Sequence, residues 1–415
     1  MNNRIMILGS LGEFAALTKK ARERGIYTVV CDGNPDGPAK KFADKVYDID
    51  VTDIEAVAEV CVSEKVDGVI TAFSDLLLEC MVKICDRAKL PCYLKPEQLP
   101  YYRDKRVMKQ MFNALGIDTP KFVSLSSKED ADALKDFKFP AVAKPVDKYG
   151  SRGITIINSA DEIKEKYFEI CGTSELKEIL VEEYNGWFEF NVMSWLEDGE
   201  VSILGIADRE KTAIADDVIP ISTRNVYPTR FYDDIAEDVR DTLKKIADHT
   251  GQKNGELSMQ FFWRPGERIS AGEVAARFLG YEHELIEYAG DLSIEELLLD
   301  SVYDKGALKE KLALYDPAMK KSAAVIYFQA KDGIVDDISK MEEILESPYA
   351  VSGEIFYKKG DVSALYARPY AARVCVCSPT REETDDVSQK IIDKASICDK
   401  RGNDLLYRNR LVDYV

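Results

Sequence analysis

"FPAVAKPVDKYGSRGI", residues 139–154, sets a lysine inside an apolar run and then places three small residues that punctuate the chain. Lys144 follows Ala141, Val142 and Ala143, and Gly150, Ser151 and Gly153 come within the next ten positions. A lysine drawn into apolar surroundings is costly unless an anion takes up its charge. The stretch predicts a strand ending at Lys144, the loop DKYGSRG, and a second strand GITII. A glycine-rich hairpin of this kind folds over polyphosphate and turns backbone N–H groups to its oxygens. It is not a Walker loop, which runs from strand through loop to helix with G-x-x-x-x-G-K-[ST]. The residues equally suit a plain hairpin whose lysine reaches solvent, so the stretch alone leaves both readings open.

Downstream, "ILVEEYNGWFEFNV" (179–192) closes a strand with Glu182 and Glu183, passes through Tyr184, Asn185 and Gly186, and opens another strand. Alternation puts Phe188, Phe190 and Val192 on one face and Glu189 with Asn191 on the other. A carboxylate beside a backbone linker suits an adenosine, the linker amides meeting the base and the carboxylate the ribose. An amphipathic hairpin with solvated glutamates would look the same. In "SMQFFWRPGERISAGEVAARF" (258–278), Pro265-Gly266 is turn chemistry between two strands. A two-residue hairpin predicts Gln260 opposite Ala271, with Glu273 a diagonal neighbour at about 7–8 Å between backbones, close enough to share an ion. Magnesium accepts a few protein oxygens and fills the rest of its shell with water and phosphate. Arg277, four residues on, would then reach charge developing on a transferring phosphoryl group.

Together these stretches resemble the ATP-grasp superfamily over most of residues 1–300. The order corresponds: an α/β domain, a helix carrying Lys105 in "RDKRVMKQMF", then Lys144, the glycine loop, E-E-Y-x-G-x-E-F, and a final Q…E-x-x-x-R. The branch it looks most like holds carbamoyl phosphate synthetases, biotin carboxylases and amino-acid ligases. The resemblance implies that Lys105 and Lys144 hold the α- and β-phosphates of ATP and that Tyr149, Gly150, Ser151 and Gly153 close over them. It implies Glu182 at the adenine amine, Glu183, Tyr184 and Asn185 as the linker, and Glu189 on the ribose. Gln260 and Glu273 are the implied ligands of magnesium, or of manganese in its place, and Arg277 acts with Lys144 in catalysis. One position departs from the pattern: "EVAAR" has Ala275 where the family usually carries an asparagine ligand. The implied chemistry is phosphorylation of a small carboxylate to an acyl phosphate, attack by an amine, and release of ADP and phosphate. A bicarbonate-using enzyme of the carbamoyl-phosphate type, or a nucleotide-binding protein without turnover, are the alternatives.

The implied fold class is α/β and α+β: a parallel, Rossmann-like α/β domain over 1–103, an ATP-grasp domain over 104–308 with a clamping subdomain at about 119–186, and a β-rich subdomain over 309–415. Local patterns agree with an alternating start: strands at 4–9, 26–32 and 67–73 and helices at 13–24 and 53–64. "GSLGEF" after the first strand has only Gly9 and Gly12 of a dinucleotide fingerprint, and Asp32 suits a ribose or a loop cap. Helices are expected at 104–115 and 233–250, and "AKDGIV" and "YKKGDV" read as hairpins in the tail.

The 415 residues carry a formal net charge of -18, which argues against nucleic acid and anionic membrane as partners. No apolar run approaches a membrane span and no leader opens the chain, so the expected place is the cytoplasm, with small-molecule acid and amine substrates and a homodimer as the expected assembly. The nine cysteines are scattered, and Cys375 and Cys377, which share a strand face, are expected as ordinary thiols. Substrate residues are sought in "ISTRNVYPTRFY" (221–232), read as a loop whose Arg224 and Arg230 could grip a carboxylate, and at His283 after the metal strand. Solvated arginines and a structural histidine would look the same.

Overall fold

A computed structural model describes residues 3–147, 153–172, 174–212, 220–365, 367–368 and 370–414. The chain begins with alternating strands and helices: β1 (Arg4–Leu8), α1 (Gly12–Glu23), β2 (Tyr27–Cys31), β3 (Lys45–Tyr47), α2 (Ile54–Glu64), β4 (Gly68–Ile70) and α3 (Asp75–Ala88). The strands pair in parallel in the order β3-β2-β1-β4, as apolar strands joined by crossover helices must. Asp53 and Ser74 cap α2 and α3 by accepting backbone N–H groups of the first turn. Asp32 accepts the N–H of Asn34 at 2.8 Å, so its side chain caps a loop.

Two short helices follow, α4 (Leu99–Arg103) and α5 (Lys105–Ala114), and then a small sheet built from β5 (Phe122–Leu125), β6 (Ala141–Pro145), β7 (Thr155–Ile157) and β8 (Ile179–Glu183), covered by α6 (Ala160–Cys171). Its antiparallel order is β5-β8-β6-β7, and Leu125, Ala143, Ile157, Ile163 and Val181 give it a core of its own.

The rest of the chain is organised by one large antiparallel sheet. It is made from β9 (Phe188–Glu197), β10 (Glu200–Thr212), β11 (Ile221–Tyr227), β12 (Gly255–Trp263) and β13 (Ser270–Ala275), with α7 (Tyr232–Thr250) between β11 and β12. Helices α8 (Glu284–Gly290), α9 (Ile294–Tyr303) and α10 (Lys305–Leu314) lead to the tail: β14 (Ser322–Phe328), β15 (Gly333–Ile334), α11 (Ser339–Leu345), β16 (Ser352–Ile355), β17 (Val362–Ser363), β18 (Ala372–Ser378) and α12 (Arg381–Lys394). The order β13-β12-β9-β10-β11-β14-β18-β16 shows that the tail strands extend the same sheet past residue 309. The backbone ladder is therefore continuous across that point, although α12 and the strands under it enclose a second core around Ile326, Val374 and Ile391. "AKDGIV" and "YKKGDV" are not two hairpins: β15 and β17, which they supply, pair with each other. No helix among the described residues is long and apolar enough to cross a membrane. All nine cysteines are free thiols.

Candidate active site

The site is assembled where the small sheet faces the large one. Asp104 caps α5 by accepting the N–H groups of Arg106 and Val107 at 2.9 and 3.2 Å, which fixes Lys105 as its first residue. The backbone N–H of Lys105 donates to the carbonyl of Val146, tying this helix start to the end of the strand that carries Lys144. On its far side α5 packs on β13, where Met108 Sδ accepts the N–H of Val274. Three elements distant in sequence are thereby held at one point.

At that point the cations converge on two carboxylates. Lys144 Nζ lies 2.6 Å from Glu182 and 2.9 Å from Glu273, and Lys105 Nζ lies 3.7 Å from Glu273. A third lysine, Lys109, only 1% exposed, pairs with Glu182 at 2.6 Å and also donates to Thr119 Oγ1 and the Ala271 carbonyl. Burial alone would raise the Glu273 carboxyl, but Lys105 and Lys144 outweigh it and hold it well below the usual carboxylate range. Glu182 is lowered in the same way by Lys109 and Lys144. For Lys144, burial is overcome by Glu182 and Glu273, and its amine is pushed up. Lys109 goes the other way: burial first, with the nearby Lys144 charge adding to it, lowers its amine despite Glu182. The lysines are thus gathered, largely buried, around a partly open glutamate, an arrangement suited to trading a carboxylate for polyphosphate oxygens.

The metal strand differs from the expected register. Gln260 lies directly opposite Glu273, not opposite Ala271, because a bulge intervenes between Gln260 and Phe261 on the β12–β13 ladder. Gly272 allows it: a Cβ there would sit 3.0 Å from the Gln260 carbonyl oxygen. The hairpin loop is also longer than two residues, covering 264–269. The bulge brings the amide and carboxylate closer than the diagonal pairing would. Alternation places Ala275 two residues on, toward the same face, and it brings no oxygen. No cluster of three His, Cys, Asp or Glu side chains that would hold a metal unaided occurs among the described residues. The donor set fits magnesium only as a partner of phosphate: one amide, one ionised carboxylate, and remaining positions open to phosphate and water.

Glu189 projects from β9 between Arg209, which donates to one of its oxygens, and Lys211, 2.7 Å from the other. Burial would raise its carboxyl, but these cations hold it below the usual range. Neither base was singled out from the sequence, although "ADREKT" (207–212) carried the signal. Alternating charge along a strand sends Asp208 and Glu210 to one face and Arg209 and Lys211 to the other. Lys109 had a signal as well, since it lies four residues after Lys105 on the same helix.

The linker is partly committed within the protein. Glu183 N–H donates to the Lys121 carbonyl, Tyr184 N–H to the Pro140 carbonyl, and Asn185 Oδ1 accepts from Trp187 N–H at 2.9 Å. Gly153 has φ +76°, and a Cβ there would meet the Pro145 ring at 3.0 Å, so glycine is required where the loop rejoins the sheet. Tyr149, Gly150 and Ser151 lie outside the described residues. Arg277 stands just beyond β13, and Asp75 at the start of α3 takes its guanidinium in a two-pronged pair, at 3.0 and 2.8 Å.

Two expected substrate arginines lie elsewhere. The stretch 221–232 is largely the strand β11, not a loop, and Arg224 is buried against Glu210 at 2.9 and 2.7 Å and against Asp385 at 2.7 Å. Arg230 stands 3.7 and 3.6 Å from Asp208 and Asp385, beneath the Tyr414 ring. Arg381 completes this network, 2.7 Å from Asp208. Since Glu210 and Arg224 are cross-strand partners and Arg209 pairs with Glu189 and Asn225, the network occupies the opposite face from Glu189. It fastens α12 to the sheet. His283, at the start of α8, is buried, stacks on Phe73 at 4.1 Å and pairs with Glu295 at 3.1 Å. Burial would lower its pKa, but Glu284 and Glu295 outweigh it and bring it to about 9.

The chain carries an ATP-grasp domain: that domain family matches residues 137–283, and the architecture around it is the ATP-grasp fold. The chain is 26% identical over 292 residues to the carbamoyl phosphate synthase large chain of Archaeoglobus fulgidus, covering 66% of this chain and 27% of that one. A formate-dependent phosphoribosylglycinamide formyltransferase of Francisella tularensis is 24% identical over 287 residues, covering 66% and 70%. The chain therefore spans about a quarter of the large chain it matches. Among solved structures, an L-amino acid ligase from Bacillus licheniformis aligns with a TM-score of 0.81 at 16% identity, over 96% of this chain and 99% of that one. A phosphoribosylglycinamide synthetase from Anaerococcus prevotii aligns at 0.74 and 20% identity, over 96% and 100%. By name these four relatives are a synthase, a formyltransferase, a ligase and a synthetase.

Proposed function

We propose that the protein is an ATP- and magnesium-dependent ligase that activates a small carboxylate, an amino acid or similar metabolite, as an acyl phosphate and passes it to an amine. The observation that carries this reading is the convergence of Lys105, Lys109 and Lys144 on Glu182 and Glu273, with Gln260 paired opposite Glu273. Lys105 and Lys144 take the α- and β-phosphates, leaving Glu273 for the metal, which neutralises phosphate charge when bound. Glu182 meets the adenine amine, Glu189 the ribose, and the Asn185 end of the linker the base edge, because the Tyr184 N–H is already bonded. Gly153 and the residues preceding it cover the phosphates. Arg209 and Lys211, on the strand beside Glu189, hold its carboxylate in place for the ribose. The substrate carboxylate attacks the γ-phosphorus as the bond to ADP breaks, and the amine then displaces phosphate from the acyl carbon. Positioning and fixed charge supply the rate without a covalent enzyme intermediate.

Pooled carboxylates against pooled amines, read as ADP release with hydroxylamine as a trap for the acyl phosphate, tests this. Lys144→Ala is expected to abolish the turnover. Turnover with bicarbonate in place of every organic acid would instead favour the carboxyphosphate chemistry, and undiminished turnover in Lys144→Ala would remove the site assignment.

A further inference from the structure

The order β3-β2-β1-β4 reverses direction between β1 and β4. In open parallel sheets, ligands settle beyond the carboxyl ends of the strands at such a switch point. The chain leaving β4 passes through Phe73 at φ +69°, an unfavourable conformation for a bulky side chain, of the kind that clusters at binding sites. Ser74 then caps α3, and Asp75 opens the helix in the segment that follows the carboxyl end of β4. Across from it stands Arg277, whose Nε and Nη2 donate to the two Asp75 oxygens at 3.0 and 2.8 Å. The partners are 202 residues apart and follow strands of different sheets, β4 and β13, yet both side chains remain partly open, at 12% and 18% exposure. Water therefore already reaches the pair, and exchanging it opens no sealed core. Arg103 and Lys105 also face Asp75, but Arg103 is engaged by Glu79 and Lys105 is drawn to Glu273.

A guanidinium gripping a carboxylate with two hydrogen bonds is a carboxylate site that the protein fills with its own side chain. We propose that this pair is an exchange site for a zwitterion. An α-amino acid lays its carboxylate on Arg277 and its ammonium on Asp75, replacing one internal ion pair by two. The inference rests on the ligase reading above and narrows its acid substrate to α-amino acids. An acid without the ammonium would take Arg277 and leave the mostly buried Asp75 with only the longer-range charges of Arg103 and Lys105, both engaged by other carboxylates, in place of a two-pronged ion pair, and that loss is penalised. The exchange also sets the chemistry. Held by Asp75, the amino group stays protonated and its nitrogen does not react. A carboxylate oxygen forms the bond to the γ-phosphorus while the bridging bond breaks, its electron pair leaving on ADP. The attacking amine therefore belongs to a second molecule; it forms the C–N bond, phosphate departs, and the amine's proton goes to solvent.

Calorimetric titration of the full chain, loaded with magnesium and a non-hydrolysable ATP analogue, tests this without turnover. The probes are the twenty proteinogenic L-amino acids and, for each, the same carboxylic acid lacking the α-amino group. At least one amino acid is expected to bind, with its deaminated partner weaker by about tenfold or more. Asp75→Asn should bring the two within about threefold of each other, by weakening the amino acid, and Asp75→Glu should keep the preference. Absence of binding by every amino acid, equal binding of the deaminated acids, or an unchanged preference in Asp75→Asn that still binds nucleotide would each overturn the proposal. The wild-type comparison decides alone if the variants do not fold. An amino acid that binds in this manner while no amine yields ADP would sink the ligase reading but leave the site. ADP release on deaminated acids alone would do the reverse.

Discussion

Replacing His283 with glutamine should change the pH dependence of stability in one direction and within one window. His283 has a folded pKa of about 9 against an ordinary value near 6.5, because Glu284 and Glu295 outweigh the cost of its burial. A histidine raised on folding binds more protons in the native state than in the unfolded one, so its stabilisation is complete below about pH 6.5 and lost as pH rises through 9. A shift of about 2.5 units corresponds to about 3 kcal/mol, nearly all of it present at pH 6 and absent by pH 9.5. The carboxylates are not stranded by the substitution. Glu295 keeps Lys20 at 3.2 Å and Glu284 keeps Arg373 at 2.9 Å, so His283→Gln should fold. Urea denaturation of both proteins across pH 6 to 9.5 gives the difference curve directly. Wild type should lose up to about 3 kcal/mol relative to the variant over that range, offset by Glu13 and Glu282, whose raised carboxyls are held down in part by the His283 charge and rise further without it. Parallel curves would show that His283 is not an imidazolium held by those carboxylates, and the electrostatic account of the joint between Phe73, α8 and α9 would fall with it.

Glu182→Ala strands Lys109 in the core with only a hydroxyl and a carbonyl, and without nucleotide it should cost about 3–5 kcal/mol of stability by denaturant titration. Lys109→Met, which leaves Glu182 paired with Lys144, should cost clearly less, and a reversed order would contradict the charge accounting. Ala275→Asn adds an oxygen two residues after Glu273 and should lower the magnesium concentration that half-saturates ADP release several-fold; an unchanged titration would place the metal away from this position. Arg224→Ala should destabilise the protein by about 3 kcal/mol through the exposed deficit at Glu210 and Asp385, while the KM for ATP stays put, since the network lies behind the sheet.

The sequence by itself determined the strands and helices that own their local signals. Asp53, Ser74 and Asp104 cap where their side chains reach the next turn, Lys144 stands out as a charge in an apolar run and Glu273 with Arg277 beside a turn, while Lys105 and Glu182 are picked out only by the resemblance of the motif order to the ATP-grasp pattern. What the tertiary structure decided depends on cross-strand register and on distant partners. Gln260 meets Glu273 because a bulge at Gly272 shifts the ladder, and spacing along one chain does not reveal a bulge in a pair of strands. Arg224 turns away from the site because a strand replaces the expected loop, and its neighbour across the ladder is Glu210. The tail joins the main sheet by backbone pairing that carries no mark in side-chain pattern. Asp75 is an ordinary helix-start acid in sequence and becomes the partner of Arg277, 202 residues away, only when the segments after β4 and β13 are folded together. Local periodicity and capping act over a few residues and can be read from them. Ion pairing acts through space, and only the folded chain says which charges meet.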